Sequence, residues 1–147
     1  SKLHSAGFRI VVITNQGGVA RGSYPVAMTI ATNRRIVEIA SAHAPIAGIY
    51  SCPYHPRGTV SPWDREHPWR KPAPGMFLQA AADLRLDLAR SWAIGDMARD
   101  LHAAIAAGIL PDHTVLYQGR DPENKPERSA CVEHWTEAAR LVLAATL

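Results

Sequence analysis

Three short stretches of this sequence carry side chains suited to an anionic ligand. Thr14-Asn15-Gln16-Gly17-Gly18 offers a hydroxyl, two carboxamides and flexible backbone N–H groups. Such a set can hold phosphate oxygens without adding charge, and it also matches an ordinary polar turn. Arg70-Lys71-Pro72 sets two cations side by side. A lysine gives a transferring phosphoryl group a point charge, and an arginine gives a second anionic or hydroxyl-rich group a fork; an exposed basic pair has the same sequence. In Gly95-Asp96-Met97-Ala98-Arg99-Asp100, Asp96 is either a hard oxygen ligand for Mg2+ or a helix cap. Asp100 falls in the first helical turn, where the dipole favours a carboxylate.

A further set, Cys52, His55 and His67, has ligand types that zinc accepts. A closed zinc tetrahedron needs four ligands, and this loop gives three without a clear fourth.

The elements that must position these residues follow from periodicity. Phe8 to Thr14 is a β-branched run that predicts a buried strand, broken at Asn15 by a loop. Ala27 to Ala42 has apolar residues at helical spacing, and Ala47 to Ser51 reads as a second strand. Helices are predicted at Gly75–Leu86, at Ala98–Ala107 before Gly108, and at Trp135–Ala145; strands at Ser91–Ile94, Thr114–Tyr117 and Cys131–Val132. Six of the eleven prolines fall between residues 52 and 74, with Pro45 just upstream. That density excludes regular structure, and a loop so long with Trp63 and Trp69 in it reads as ordered and functional. Strands alternating with helices predict a parallel α/β sheet with right-handed crossovers. Ligands of such sheets sit beyond the carboxyl ends of the strands. Thr14 to Gly17, Cys52 onward and Gly95-Asp96 all lie at those ends.

Bulk composition sets the class. The 147 residues, 47% hydrophobic and 20% charged, fit one ordered domain. The net charge of +3 comes from dispersed Lys and Arg, which gives no nucleic-acid stripe. Two cysteines make no disulfide scaffold. No apolar run approaches the roughly 18 residues of a membrane span, and no secretory signal pattern opens the chain. A cytoplasmic, monomeric enzyme without nucleic-acid or membrane partners is expected.

Taken in order, Val11-Val12-Ile13-Thr14-Asn15-Gln16-Gly17-Gly18-Val19-Ala20-Arg21-Gly22, Cys52-Pro53-Tyr54-His55-Pro56-Arg57-Gly58, Arg70-Lys71-Pro72-Ala73-Pro74-Gly75-Met76 and Ile94-Gly95-Asp96 with Asp100 and Ala106-Ala107-Gly108 resemble one family. It is the heptose 1,7-bisphosphate phosphatase and histidinol-phosphatase family of the haloacid dehalogenase (HAD) superfamily. The resemblance covers essentially the whole chain. It implies a HAD-like Rossmannoid three-layer α/β sandwich and Mg2+-dependent hydrolysis of a phosphorylated sugar. Thr14 then corresponds to the hydroxyl that holds the phosphoryl group, with Asn15, Gln16 and Gly17 beside it. Lys71 corresponds to the lysine that neutralises transition-state charge, Arg70 to the residue that recognises the rest of the substrate, and Asp96 to the Mg2+ ligand. The Arg70 to Met76 run and the long preceding loop resemble the heptose branch more than the histidinol branch.

The chain departs from the family pattern in three places. The nucleophilic Asp, with a second Asp two residues later as acid and base, has no counterpart here. A strand bearing that Asp-x-Asp, with roughly 30 or more residues in all, is expected before Ser1, and without it the chain would be a non-catalytic remnant or binding module. The family's zinc pairs, Cys-x-His and Cys-x-Cys, read Cys52-Pro53-Tyr54 and His67-Pro68-Trp69, so little or no zinc is expected. Met97 stands where a lysine often follows the Mg2+ ligand, which removes a positive charge that a bisphosphate would use. A hydride-transferring dinucleotide enzyme is a poor third reading, because no Gly-x-Gly-x-x-Gly follows a strand.

Overall fold

The computed structural model describes residues 2–145. They form two compact units, residues 3–70 and residues 71 onward.

In the first unit, the β-branched run becomes β1 (Ile10–Asn15), which pairs in parallel with β2 (Ile46–Cys52). The register sets Thr14 opposite Ser51 and Asn15 opposite Cys52, so the polar strand-end residues lie beside the start of the proline-rich loop. A parallel pair needs a crossover, and α2 (Val26–Ser41) supplies it, lying against β2. Upstream, α1 (Lys2–Ser5) ends at Gly7 with φ +89°, the left-handed position that glycine occupies without a Cβ penalty. Residues 53–70 have neither helix nor strand, as their prolines require.

In the second unit, α3 (Gly75–Leu84) leads into a parallel sheet of β3 (Ala93–Gly95), β4 (Thr114–Tyr117) and β5 (Ala130–Val132), in that order. The crossover helix α4 (Ala98–Ala107) lies on β3 and β4, and α5 (Trp135–Ala144) on β4 and β5. One apolar cluster joins Ala93, Ala104 and Ile109 with Phe77 and Leu88. Another joins Val115, Val132 and Ala138 with Trp92, Ile94 and Tyr117. The central strand β4 is buried at Thr114, Val115 and Leu116 in succession, as expected of a parallel strand covered on both faces.

The predicted helices and strands thus appear in the predicted order, with the predicted parallel pairing. Short 3-10 turns at Leu88–Arg90, Pro111–His113 and Pro122–Asn124 were not legible as such, because a three-residue turn has no hydrophobic period. Among the described residues, no helix is long and apolar enough to cross a membrane.

Candidate functional site

At the carboxyl end of β1 the polar residues form a connected set. The Gln16 backbone N–H donates to the Cys52 carbonyl at 2.7 Å, which extends the strand pairing by one step. The Gln16 Nε2 donates to Thr14 Oγ1 at 3.2 Å, and the Tyr24 hydroxyl donates to Gln16 Oε1 at 2.7 Å. Because Thr14 Oγ1 accepts from Gln16, its own proton is available to a second acceptor. Tyr24 can reach Gln16 because Gly18 has no side chain: a Cβ there would stand 2.4 Å from the Tyr24 ring.

Gly17 is bare for a different reason. A Cβ on it would lie 3.3 Å from Arg21 Nη1, 3.3 Å from Arg70 Nη1 and 3.1 Å from His55 Cδ2. Two guanidinium groups therefore face the same backbone position at the end of β1. The buried His55 takes its Nδ1 proton partner from the Arg57 N–H at 3.1 Å, so that nitrogen is an acceptor and the ring neutral. Burial pushes its pKa down, and Arg70, Arg21 and Arg57 push it further, against Glu66. So much positive charge suits a dianionic group.

The second unit holds Lys71, Asp96 and Asp100. Lys71 is buried, and its Nζ lies 2.8 Å from Asp100 Oδ1; the side chains are 9% and 12% exposed. The other oxygen, Asp100 Oδ2, accepts the Met97 N–H at 3.2 Å, while the Asp100 N–H donates to the Met97 carbonyl at 2.9 Å. Met97, not Asp96, is thus the residue at the α4 N-cap. Gly95 gives Asp100 its room, since a Cβ there would meet Asp100 Cβ at 2.5 Å. From further along the chain, Asp121 Oδ1 accepts the Ala98 N–H at 2.9 Å, which satisfies another of the helix's initial donors. With capping assigned elsewhere, the Asp96 carboxylate is half exposed at the end of β3, with Arg120 Nε at 3.9 Å.

The donor chemistry bears on metals. Mg2+ takes one or two carboxylates and fills its remaining positions with phosphate oxygens and water, so the half-exposed Asp96 fits it. Among the described residues, no group of three or more His, Cys, Asp or Glu side chains is placed to hold a metal. Zinc does not fit the loop: Tyr54 and Trp69 are not ligands, and burial pushes the Cys52 thiol up, away from the thiolate that zinc binds.

The sequence-predicted residues thus fall into two sets. Thr14, Asn15, Gln16, Gly17 and Arg70 belong to the first unit, and Lys71 and Asp96 to the second. Sequence reasoning missed Tyr24, Arg21 and Asp121, and gave Asp100 only a helix-dipole role. Tyr24 and Asp121 act through contacts 8 and 23 residues away in sequence, which no local pattern encodes. Arg21 had a signal, its place four residues after Gly17, where a turn brings it back.

In sequence and fold the chain is similar to known proteins. Residues 68–130 match the HAD-hydrolase-like family model. The D-glycero-beta-D-manno-heptose-1,7-bisphosphate 7-phosphatase of Yersinia pestis is 39% identical over 109 residues, covering 74% of this chain and 58% of that protein. The enzyme of the same name from Escherichia coli K12 is 39% identical, covering 74% and 57%. The chain therefore spans somewhat more than half the length of these curated relatives. Among solved structures, the D,D-heptose 1,7-bisphosphate phosphatase of B. bronchiseptica, complexed with magnesium and phosphate, superposes with a TM-score of 0.79. It is 29% identical, over 98% of this chain and 79% of that one. A Mesorhizobium loti protein described as a HAD-like phosphatase superposes with a TM-score of 0.81 at 33% identity, over 97% and 68%.

Proposed function

Because the chain belongs to the HAD-like hydrolase family, we propose that it forms most of a Mg2+-dependent phosphomonoester hydrolase. Its proposed substrate is D-glycero-D-manno-heptose 1,7-bisphosphate, from which it removes the 7-phosphate. Relatives bearing that activity in their names, and a structural neighbour complexed with magnesium and phosphate, support the reading. The observation that carries it is the buried Lys71–Asp100 pair at 2.8 Å. A structural lysine gains nothing from burial that an apolar residue would not supply more cheaply, whereas a phosphoryl-transfer site needs a preorganised cation.

In this reading Lys71 neutralises charge on the transferring phosphoryl group, held in place by Asp100. Thr14, whose oxygen already accepts from Gln16, donates its proton to a phosphoryl oxygen. Asp96 would hold Mg2+, which supplies charge neutralisation and orientation to the phosphate. Arg21 and Arg70 take the substrate's second anionic group over the bare backbone of Gly17. The aspartate nucleophile and its acid–base partner are assigned to sequence outside these 147 residues, which contain no Asp-x-Asp.

The test is phosphate release by the full-length protein with Mg2+, comparing heptose 1,7-bisphosphate with histidinol phosphate. Faster turnover of the bisphosphate is expected. Faster turnover of histidinol phosphate would move the chain to the sister activity, and turnover of neither would leave a binding module.

A further inference from the structure

The loop between β2 and Arg70 has an aromatic interior. Tyr54 and His67 stack face to face, with ring centroids 4.1 Å apart and planes 3° apart. Trp63 meets Tyr54 edge-on at 5.0 Å, and Trp69 meets His67 edge-on at 6.1 Å. Trp69 in turn meets Tyr50 of β2 at 6.3 Å, which ties the cluster to the sheet. The Arg65 guanidinium lies 5.2 Å from the centroid of the Tyr54 ring. Within the loop the His55 N–H donates to the Trp63 carbonyl at 3.0 Å, and the Trp69 N–H donates locally to His67 Nδ1 at 3.1 Å.

The two stacked residues also grip Arg70. Its backbone N–H donates to the His67 carbonyl at 2.9 Å, and its Nη1 donates to the Tyr54 carbonyl at 3.3 Å. Both ends of one arginine are thus held by the main chain of two residues whose rings are held by each other. A stacked aromatic contact favours the backbone separation that keeps the rings together, by an attraction beyond the area it buries. A guanidinium hydrogen-bonded to a carbonyl is in turn restricted in the directions its remaining donors can take.

We propose that the Tyr54–His67 stack is a metal-free clasp that aims the Arg70 guanidinium at the position facing Gly17, making Tyr54 and His67 positioning residues for substrate recognition. The recognition half of this inference rests on the phosphatase reading above; the clasp half does not. Two of the four positions that would close a zinc site by resemblance, Tyr54 and Trp69, are rings within the cluster, and His67 uses Nδ1 as an acceptor within it. Aromatic contact therefore does what metal coordination would otherwise do: it holds the two ends of a long loop together so that the residue leaving it points one way.

The experiment compares wild type, Tyr54→Ala and Tyr54→Phe in the full-length protein, with three readouts. Elemental analysis measures zinc. Hydrogen exchange measures protection of the Trp69 and Arg70 amides before and after chelation with EDTA. Steady-state kinetics compares heptose 1,7-bisphosphate with p-nitrophenyl phosphate, which has no second anionic group. The clasp predicts well under one zinc per chain and protection unchanged by EDTA. It also predicts protection lost in Tyr54→Ala and kept in Tyr54→Phe. Recognition through Arg70 predicts a KM for the bisphosphate raised about ten-fold in Tyr54→Ala, the order expected for loosening one charge-assisted contact, with kcat nearly constant. Tyr54→Phe restores the wild-type KM, and p-nitrophenyl phosphate shows no comparable KM change. Stoichiometric zinc, or protection lost on chelation, overturns the clasp. Protection lost in Tyr54→Ala with KM unchanged overturns the positioning role. Absence of turnover on both substrates counts against the phosphatase reading, while zinc content and exchange still decide the clasp.

Discussion

Lys71 and Asp100 are 29 residues apart in sequence and form an ion pair of 2.8 Å with both side chains nearly buried. Burying two charges costs solvation that their attraction only partly returns, but removing one partner leaves the other uncompensated. Asp100→Asn is therefore expected to destabilise the protein by about 3–5 kcal/mol, read as a lowered urea midpoint with an unchanged slope. The double variant Lys71→Met/Asp100→Leu is expected to recover most of that loss in stability and no activity. A single variant as stable as wild type would mean that the pair is solvated in solution.

The link from Tyr24 through Gln16 to Thr14 makes a second expectation. Removing the Tyr24 hydroxyl frees the Gln16 amide to rotate, and Thr14 loses a fixed donor. Tyr24→Phe is expected to lower kcat several-fold, on the scale of a neutral hydrogen bond worth about 1 kcal/mol, with KM little changed. Gly18→Ala is expected to do the same by displacing the Tyr24 ring. Wild-type kcat in both variants would detach this link from the reaction.

Arg21 and Arg70 face one backbone position, so they should act on the same part of the substrate. Arg21→Ala is expected to raise the KM for a sugar bisphosphate by roughly ten-fold to a hundred-fold, the size of one lost charge-assisted contact. The KM for a monophosphate should move much less. Equal loss on both substrates would place Arg21 at the reacting phosphate instead.

Most of the fold was legible in the sequence because the strands announce themselves. Ile10-Val11-Val12-Ile13 and Thr114-Val115-Leu116-Tyr117 are dense in β-branched and large apolar residues, and helical spacing separates them. The roles of single residues were less legible. Asp96 and Asp100 share a motif and a charge, and local sequence offered Asp96 as a helix cap and Asp100 as a first-turn carboxylate facing the helix dipole. Only the fold shows that Asp100 and Asp121 accept the first backbone N–H groups of α4, that Asp100 also pairs with Lys71, and that Asp96 is left half exposed. Tyr54 and Trp69 read in the sequence as lost zinc ligands. Their role as packed rings depends on loop closure, which the spacing of prolines does not specify.

Protonation of the loop histidines gives a pH expectation. Burial and neighbouring arginines hold the pKa of His55 below its ordinary 6.5, and burial with Arg65 does the same for His67. The folded state thus favours the neutral rings, so the unfolded chain binds protons first as pH falls. The stability they contribute is complete above about pH 6.5 and is lost as pH drops through the folded-state values. A melting temperature that declines below pH 6.5, less steeply in His67→Phe, is expected. A rise in melting temperature over that window would reverse the assignment of the Nδ1 atoms as acceptors.

The most direct test of phosphoryl transfer at this site is the turnover of Lys71→Ala in the full-length protein. It is measured on heptose 1,7-bisphosphate with saturating Mg2+, at a temperature where circular dichroism shows the variant folded. Loss of one preorganised cation predicts a fall in kcat on the order of 10²–10³. A folded Lys71→Ala variant that turns over at the wild-type rate would contradict the assignment of this chain as a HAD-type phosphatase acting through Lys71.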